Sequence, residues 1–314
     1  MLKTAECVSP GHPDKLCDQI SDAVLDAYLA EDPTARVAVE TVGSHGEVWI
    51  TGEVTSTAED IDIATVAKTL LDEEVVSVHV VQQSPEIARG VDTGGAGDQG
   101  IMTGYATRET ETFMPREYEL ARAVCQAVYQ EYPYDGKTQV TLQEDGTVET
   151  VVCSFQNAPT AQLRELVQSV VPEAGTYHIN PAGDWSVGGF AADAGLTGRK
   201  LMVDNYGPEI AVGGGAFSGK DPSKVDRSAA YMARRIAVDY LQERPEAQTV
   251  FVKLAYAIGY NEAVMAVAYV DGVPEYVTGY DLTPRGIRQH LKLDQPCYAA
   301  TAAWGHFGRG FAWG

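Results

Sequence analysis

Residues 213–228 read Gly-Gly-Gly-Ala-Phe-Ser-Gly-Lys-Asp-Pro-Ser-Lys-Val-Asp-Arg-Ser, with four glycines, two lysines, an arginine and two aspartates in one short stretch. Glycines let backbone N–H groups close on a phosphate, lysines neutralise it, and an aspartate holds a divalent cation bridging the same oxygens. The stretch therefore predicts a polyphosphate site of the kind a nucleoside triphosphate needs. Gly214-x-x-x-x-Gly219-Lys220 matches most of a P-loop, but Asp221 stands where a Ser or Thr would bind magnesium and Pro222 follows at once. The strand-like residues Glu209–Val212 ahead of it leave the context open. The plainer alternative is a glycine-rich loop capping a helix, with its charges solvated.

Other short motifs offer the same chemistry. Gly11-His12-Pro13-Asp14-Lys15 opens a helix, leaving His12 just ahead of N–H groups where an anion would sit. Asp14 and Asp18 share one side of its first turns, which equally reads as an acidic turn complementing the helix dipole. Gly94-Gly95-Ala96-Gly97-Asp98-Gln99-Gly100 sets a carboxylate among glycines, and Gly195–Lys200 and Asp135-Gly136-Lys137 add cations after turns. A connector or surface reading is defensible for each motif taken singly.

The surroundings sharpen the contrast. The 314 residues carry a formal charge of −21, from 44 acidic and 23 basic side chains, and only nine of the latter are lysines. So acidic a surface argues against nucleic acid and anionic membranes as partners, so a small polyanion requires a local basic pocket. Cys7, Cys17, Cys125, Cys153 and Cys297 are widely spaced without a C-x-x-C pair, which favours a reducing compartment. No stretch has the roughly 18 apolar residues of a membrane span, and the first residues lack an apolar leader. A cytoplasmic location is expected.

The elements that would position these groups recur. A helix from Pro13 is followed by a hairpin turning at Ser44-His45-Gly46, a helix over 58–71 and a strand over 75–81. The order returns with a helix from Pro115, a hairpin turning at Glu144-Asp145-Gly146, a helix over 161–170 and a strand over 177–180. A third helix is expected with Asp221 as N-cap and Pro222 at N1, then a hairpin over 250–270 and a helix from Pro284. Helix starts 102 and 107 residues apart predict an α+β fold of three pseudo-symmetric domains, each a mixed sheet covered by helices. The expected divisions are 1–100, 112–187 and 188–314.

Taken together, these motifs and Gln83-Ser84-Pro85, Tyr256-Ala257-Ile258-Gly259 and residues 301–309 closely resemble the S-adenosylmethionine synthetase (methionine adenosyltransferase) family, in order and over nearly the whole chain. The resemblance implies attack of the L-methionine sulfur on C5′ of ATP, then hydrolysis of the released triphosphate, with Mg²⁺ and K⁺ as cofactors. It also implies a homodimer or homotetramer with sites between subunits. It puts His12 at the leaving oxygen, with Lys137, Arg199, Lys200 and Lys220 around the phosphates. Asp135, Trp185, Asp193 and Ala216 join the ATP contacts. Glu53, Gln83, Asp98, Asp193 and Lys224 face methionine, Asp14 and Asp226 hold Mg²⁺, and Glu40 holds K⁺.

Two departures stand out. Only Thr93 and Gly94 separate Val91-Asp92 from the Gly95-Ala96-Gly97-Asp98-Gln99-Gly100 motif, where the family usually has a longer gating loop. Asp184 precedes Trp185 where the family usually has a basic residue. Two other readings stay open: a P-loop-like kinase or NTPase built on residues 214–220, and a non-catalytic ATP-binding homologue.

Overall fold

The computed structural model describes residues 2–72, 74–84 and 94–314. The chain opens with β1 (Lys3–Val8), then α1 (Pro13–Glu31), the hairpin β2 (Arg36–Ser44) and β3 (Glu47–Thr55), α2 (Ile63–Lys68) and β4 (Val75–Val81). After β5 (Gly100–Thr107) come α3 (Arg116–Glu131), the hairpin β6 (Gly136–Leu142) and β7 (Val148–Phe155), α4 (Thr160–Val170) and β8 (Thr176–Ile179). The last part holds β9 (Gly195–Leu196), α5 (Leu201–Asp204), α6 (Val225–Glu243), β10 (Thr249–Tyr256), β11 (Met265–Val270), β12 (Val273–Tyr276), α7 (Pro284–Leu291) and α8 (Tyr298–Ala302).

The strands form three four-stranded sheets, β4-β3-β2-β9, β8-β7-β6-β1 and β12-β11-β10-β5, in keeping with the expected α+β class. Each sheet adds to its own hairpin one antiparallel edge strand from elsewhere in the chain: β9, β1 and β5. Those edge strands stitch the three units together. In the first two sheets the fourth strand follows a helix and runs parallel to the hairpin, as β4 does to β3 and β8 to β7. The third breaks the pattern: β12 continues antiparallel from β11, and the helix comes after it.

Two boundaries differ from the expectation for physical reasons. The helix expected over 58–71 is confined to α2, where Asp62 caps it by accepting the Thr65 N–H at 3.1 Å. The third helix does not start with Asp221 and Pro222. It starts at Val225 with Lys224 as its N-cap, because Asp221 Oδ2 is drawn to the Val37 N–H of β2 at 2.7 Å and its Oδ1 closes only a local turn with the Ser223 N–H at 2.8 Å. Residues 209–212 form turn and irregular backbone, so the strand that a P-loop requires ahead of its glycines is missing.

Along β2 the side chains alternate: Val37, Val39 and Thr41 are buried toward α1, while Glu40 is exposed on the opposite face. α1 and α6 share one core, where Ile20, Val24 and Leu25 belong with Ala229, Met232 and Ile236. α3 and α4 close a separate core around Val124, Val128, Leu163 and Val167.

Candidate active site

The site is built where α1 begins. Pro13 occupies its first position and His12 is the N-cap, its ring Nδ1 accepting the Asp14 N–H at 3.1 Å. A Cβ on Gly11 would lie 2.7 Å from the Tyr134 carbonyl carbon, so the glycine lets the backbone leading to Asp135 and Lys137 press against His12. From the other side β9 approaches, and its Leu196 N–H donates to Asp14 Oδ1 at 3.0 Å. The next residues deliver cations to the same carboxylate: Lys200 Nζ lies 2.5 Å from Asp14 Oδ2 and Arg199 Nε 3.2 Å from Oδ1.

Electrostatics follow from that crowding. Burial pushes the His12 ring down to about 4, the Lys200 and Lys137 charges push the same way, and Asp14 and Asp193 only partly oppose them. Burial works to raise Asp14, but the Lys200 ammonium and the Leu196 amide outweigh it, leaving the carboxyl below its ordinary value. Asp135 is raised by burial, and its Oδ2 accepts the Gly189 N–H at 3.0 Å. Lys137, about half exposed, leans on Glu6 at 3.5 Å. His12, Asp14, Asp135, Lys137, Asp193, Arg199 and Lys200 thus belong to one cluster, a grouping that only the family resemblance implied.

The glycine-lysine stretch forms a second cluster. Lys220 Nζ lies 2.6 Å from Asp226 Oδ2, and Lys224 pairs with Asp221. Gly215 is obligatory here, since a Cβ on it would sit 2.3 Å from Asp226 Oδ1. The loop is pinned to the edge of β2, where Lys220 bridges Ala38, with Val39 N–H on the Gly219 carbonyl and Asp221 N–H on that of Val37, both at 3.0 Å. Glu53 pairs with Ala38 across the hairpin, so it and Lys220 flank one residue. Ala216 rests against Gly198, bringing the two loops into contact.

No hydrogen bond or ion pair joins the two clusters among the described residues. Four other expected residues stand outside both. Glu40 faces outward from β2. Gln83 is buried, with no hydrogen-bond partner for Oε1 among the described residues. Asp98 accepts the Gln99 N–H at 2.7 Å, in a loop tied to residues 259–260 by Ala96. Trp185 Nε1 donates to Ser154 Oγ at 3.2 Å. The expected short gating segment at Val91–Thr93 lies outside the described residues.

Several residues escaped the sequence reading. Gln156 ties the Trp185 neighbourhood to Asp135, its Oε1 accepting the Asp135 N–H at 3.3 Å and its Nε2 donating to the Ser186 carbonyl at 3.0 Å. Asp184, already noted as an acid where the family usually has a basic residue, does structural work: its Oδ1 accepts from Thr160 N–H at 3.1 Å and Oγ1 at 2.5 Å, at the start of α4. Aspartates recur at every fourth position of α1, and each accepts backbone N–H groups from another segment. Asp14 takes Leu196 at 3.0 Å, Asp18 takes Gly198 at 2.8 Å, Asp22 takes Gly219 at 2.8 Å and Asp26 takes Cys297, Tyr298 and Ala299 at 2.9–3.0 Å. The spacing of four, one helical face, was the available signal.

Three interlocked sheets, with two glycine-hinged cation loops tied to one strand edge and one helix, have the build of an enzyme handling a polyanionic substrate. The chain belongs to the S-adenosylmethionine synthetase family. Residues 1–82 match its N-terminal domain, 93–185 its central domain and 187–314 its C-terminal domain. Among curated proteins the chain is 41% identical to S-adenosylmethionine synthase 2 of Rhodospirillum rubrum over 370 aligned positions, covering 99% of this chain and 95% of that one. It is 40% identical to the S-adenosylmethionine synthase of Cereibacter sphaeroides over 368 positions (99% and 95%) and to that of Clostridium tetani over 370 (98% and 94%). These alignments are longer than the chain, so the relatives carry segments that it lacks.

Proposed function

We infer that the chain forms S-adenosylmethionine from ATP and L-methionine and hydrolyses the released triphosphate to diphosphate and phosphate. A sulfur lone pair forms the S–C5′ bond as the C5′–O5′ bond breaks, its electron pair leaving with the triphosphate. Negative charge grows on that oxygen and positive charge on sulfur. Donors are therefore needed at one end and carboxylates at the other. No protein nucleophile is required, and holding the substrates in line supplies up to about 7–11 kcal/mol.

Neutral His12, with Nδ1 committed to the Asp14 N–H, carries its proton on Nε2 and donates it as a hydrogen bond to the departing oxygen. Lys137, Arg199 and Lys200 hold the phosphates. Trp185 and Asp135 form the nucleoside side, with Ala216 beside ATP. Lys224 meets the methionine carboxylate, while Glu53, Gln83, Asp98 and Asp193 face its ammonium and the sulfonium. Glu40, exposed on β2, would be the K⁺ ligand.

Among the described residues no three acid, histidine or cysteine side chains converge as a closed metal cage. Asp14 and Asp226 are single carboxylates, each against a cation. That suits Mg²⁺, which takes one or two carboxylates and completes its shell with phosphate and water. Asp14 and Asp226 would hold it, and it would supply positive charge against the triphosphate. Lys200 and Lys220, each beside one of those carboxylates, would add their charge to the same phosphates.

The gathering of His12, Arg199 and Lys200 on Asp14 carries the reading. The separation of Lys220 and Asp226 into another cluster supports sites shared by two copies, dimeric or tetrameric. In each site, the His12 cluster of one copy meets the glycine-lysine loop of the other. Exposed Glu40 and Trp49 on the helix-free face of the first sheet fit an association surface. No helix among the described residues is long and apolar enough to cross a membrane, and the reading needs neither membrane nor nucleic acid.

The test incubates the protein with ATP, methionine, Mg²⁺ and K⁺ and weighs the product. S-adenosylmethionine is expected; its absence at every salt concentration, or phosphate release without a sulfonium product, contradicts the reading. In the same assay Lys224→Met raises the methionine KM about 10–100-fold, the loss of one charge-assisted hydrogen bond, and leaves the ATP KM within about threefold. An unchanged methionine KM removes Lys224 from that role.

A further inference from the structure

The Arg199–Lys200 pair is bracketed by buried charges. Just before it, the Gly198 N–H donates to Asp18 Oδ1 at 2.8 Å. Just after it, Asp204 closes α5 and its Oδ1 accepts from Lys15 Nζ at 2.6 Å. The brackets are joined, because Lys15 Nζ also lies 3.0 Å from Asp18 Oδ2. The side chains of Lys15 and Asp18 are wholly buried and that of Asp204 nearly so. The loop is thereby fixed at both ends to one helix, with half-exposed Arg199 and mostly buried Lys200 between them, both against Asp14.

We propose that Asp18 is a positioning residue for triphosphate handling: from the buried side of α1 it holds the Gly198 amide and so sets where Arg199 and Lys200 meet the phosphates. The proposal rests on the reading above of those two cations as phosphate ligands. Asp18 lies behind the Gly198 backbone, so its influence reaches substrate only through the loop. An acceptor role predicts a particular pattern. Removing the oxygen unpairs a buried amide and loosens the loop, whereas an isosteric amide keeps an acceptor in place. Misplacement of about 1 Å in a positioning group is enough to cost about a hundredfold in rate.

The experiment compares wild type, Asp18→Ala and Asp18→Asn in synthesis and in hydrolysis of added tripolyphosphate, with thermal melts to check folding. Asp18→Ala is expected to raise the KM for ATP and for tripolyphosphate by about tenfold or more, as the loss of one buried hydrogen bond implies, with the methionine KM moving less than about twofold. Asp18→Asn keeps an acceptor for Gly198 but sets an NH2 group against the buried Lys15 ammonium, so it is expected to melt lower than wild type while raising the ATP and tripolyphosphate KM clearly less than Asp18→Ala does. A methionine KM that rises as much as the ATP KM, unaltered kinetics in a folded Asp18→Ala, or Asn performing as poorly as Ala would each overturn the proposal. Should Asp18→Ala not fold, Asp18→Asn decides alone, and a methionine KM that rises as much as its ATP KM counts against the positioning role. Wild type making no S-adenosylmethionine refutes the functional reading itself; an active wild type beside an unaffected variant refutes only the positioning.

Discussion

His12→Ala lowers the rate of S-adenosylmethionine formation by about 10²–10³-fold, the usual consequence of losing one donor preorganised for developing oxyanion charge. Hydrolysis of added tripolyphosphate falls far less, since no C5′–O5′ bond breaks there. Steady-state rates for the two reactions make the comparison, and equal losses would take His12 away from the leaving oxygen. The pH profile adds an independent check. Burial and the Lys200 charge depress the ring to about 4, so it is neutral well below the ordinary histidine value. The synthesis kcat/KM is therefore expected to show no histidine-type acid limb near pH 6.5, and a fall starting there would mean that the ring is not held neutral.

Arg227→Leu destabilises the protein by about 3–5 kcal/mol, the range for stripping one partner from a buried ion pair. The guanidinium is wholly buried and binds Asp22 with both forks, at 2.6 and 2.8 Å. Its remaining donors reach the Phe217 carbonyl, Thr301 Oγ1 and Tyr231 Oη, each at 3.0 Å, and the group lies 4.3 Å over the Tyr298 ring. Leucine would leave the Asp22 charge in the core with little besides the Gly219 amide to satisfy it. Urea unfolding measures the loss; a shift under about 1 kcal/mol would mean that the site relaxes or hydrates more freely than its burial implies. Asp22→Leu added to Arg227→Leu is expected to recover part of the loss, because the unpaired charge disappears.

Local signals in the sequence were reliable where local forces decide. Pro13 starts α1, and His45-Gly46 and Asp145-Gly146 turn their hairpins, with positive φ at His45, Gly46 and Gly146. The three-unit α+β build follows from those repeats. The edge strands β1, β5 and β9 were not legible, because each is chosen by a partner far along the chain, such as Thr249–Tyr256 for β5. Asp221-Pro222 failed as a helix start for the same kind of reason. A strong local capping pair lost to the Val37 N–H, nearly two hundred residues away in sequence.

At the site, the family resemblance set His12, Lys137, Arg199 and Lys200 around the phosphates with Asp14 beside them, a grouping that residue types and spacing alone left open. They left the role of the aspartate ladder of α1 unread although its four-residue spacing was visible, because an acidic helix face looks like a solvated one until its partners are seen. Nor could they separate Lys220 and Asp226 from the His12 cluster within one chain.

That separation makes the most direct measurement a complementation. His12→Ala disables one half of each shared site and Lys220→Met the other, so each variant alone is nearly inactive. Mixed and re-equilibrated in equal amounts, they should regain about a quarter of wild-type synthesis, because half of the dimers are hybrids and each hybrid rebuilds one intact site. Recovery near that level supports a triphosphate cradle assembled from two copies; a mixture that exchanges subunits yet stays as inactive as its components contradicts it.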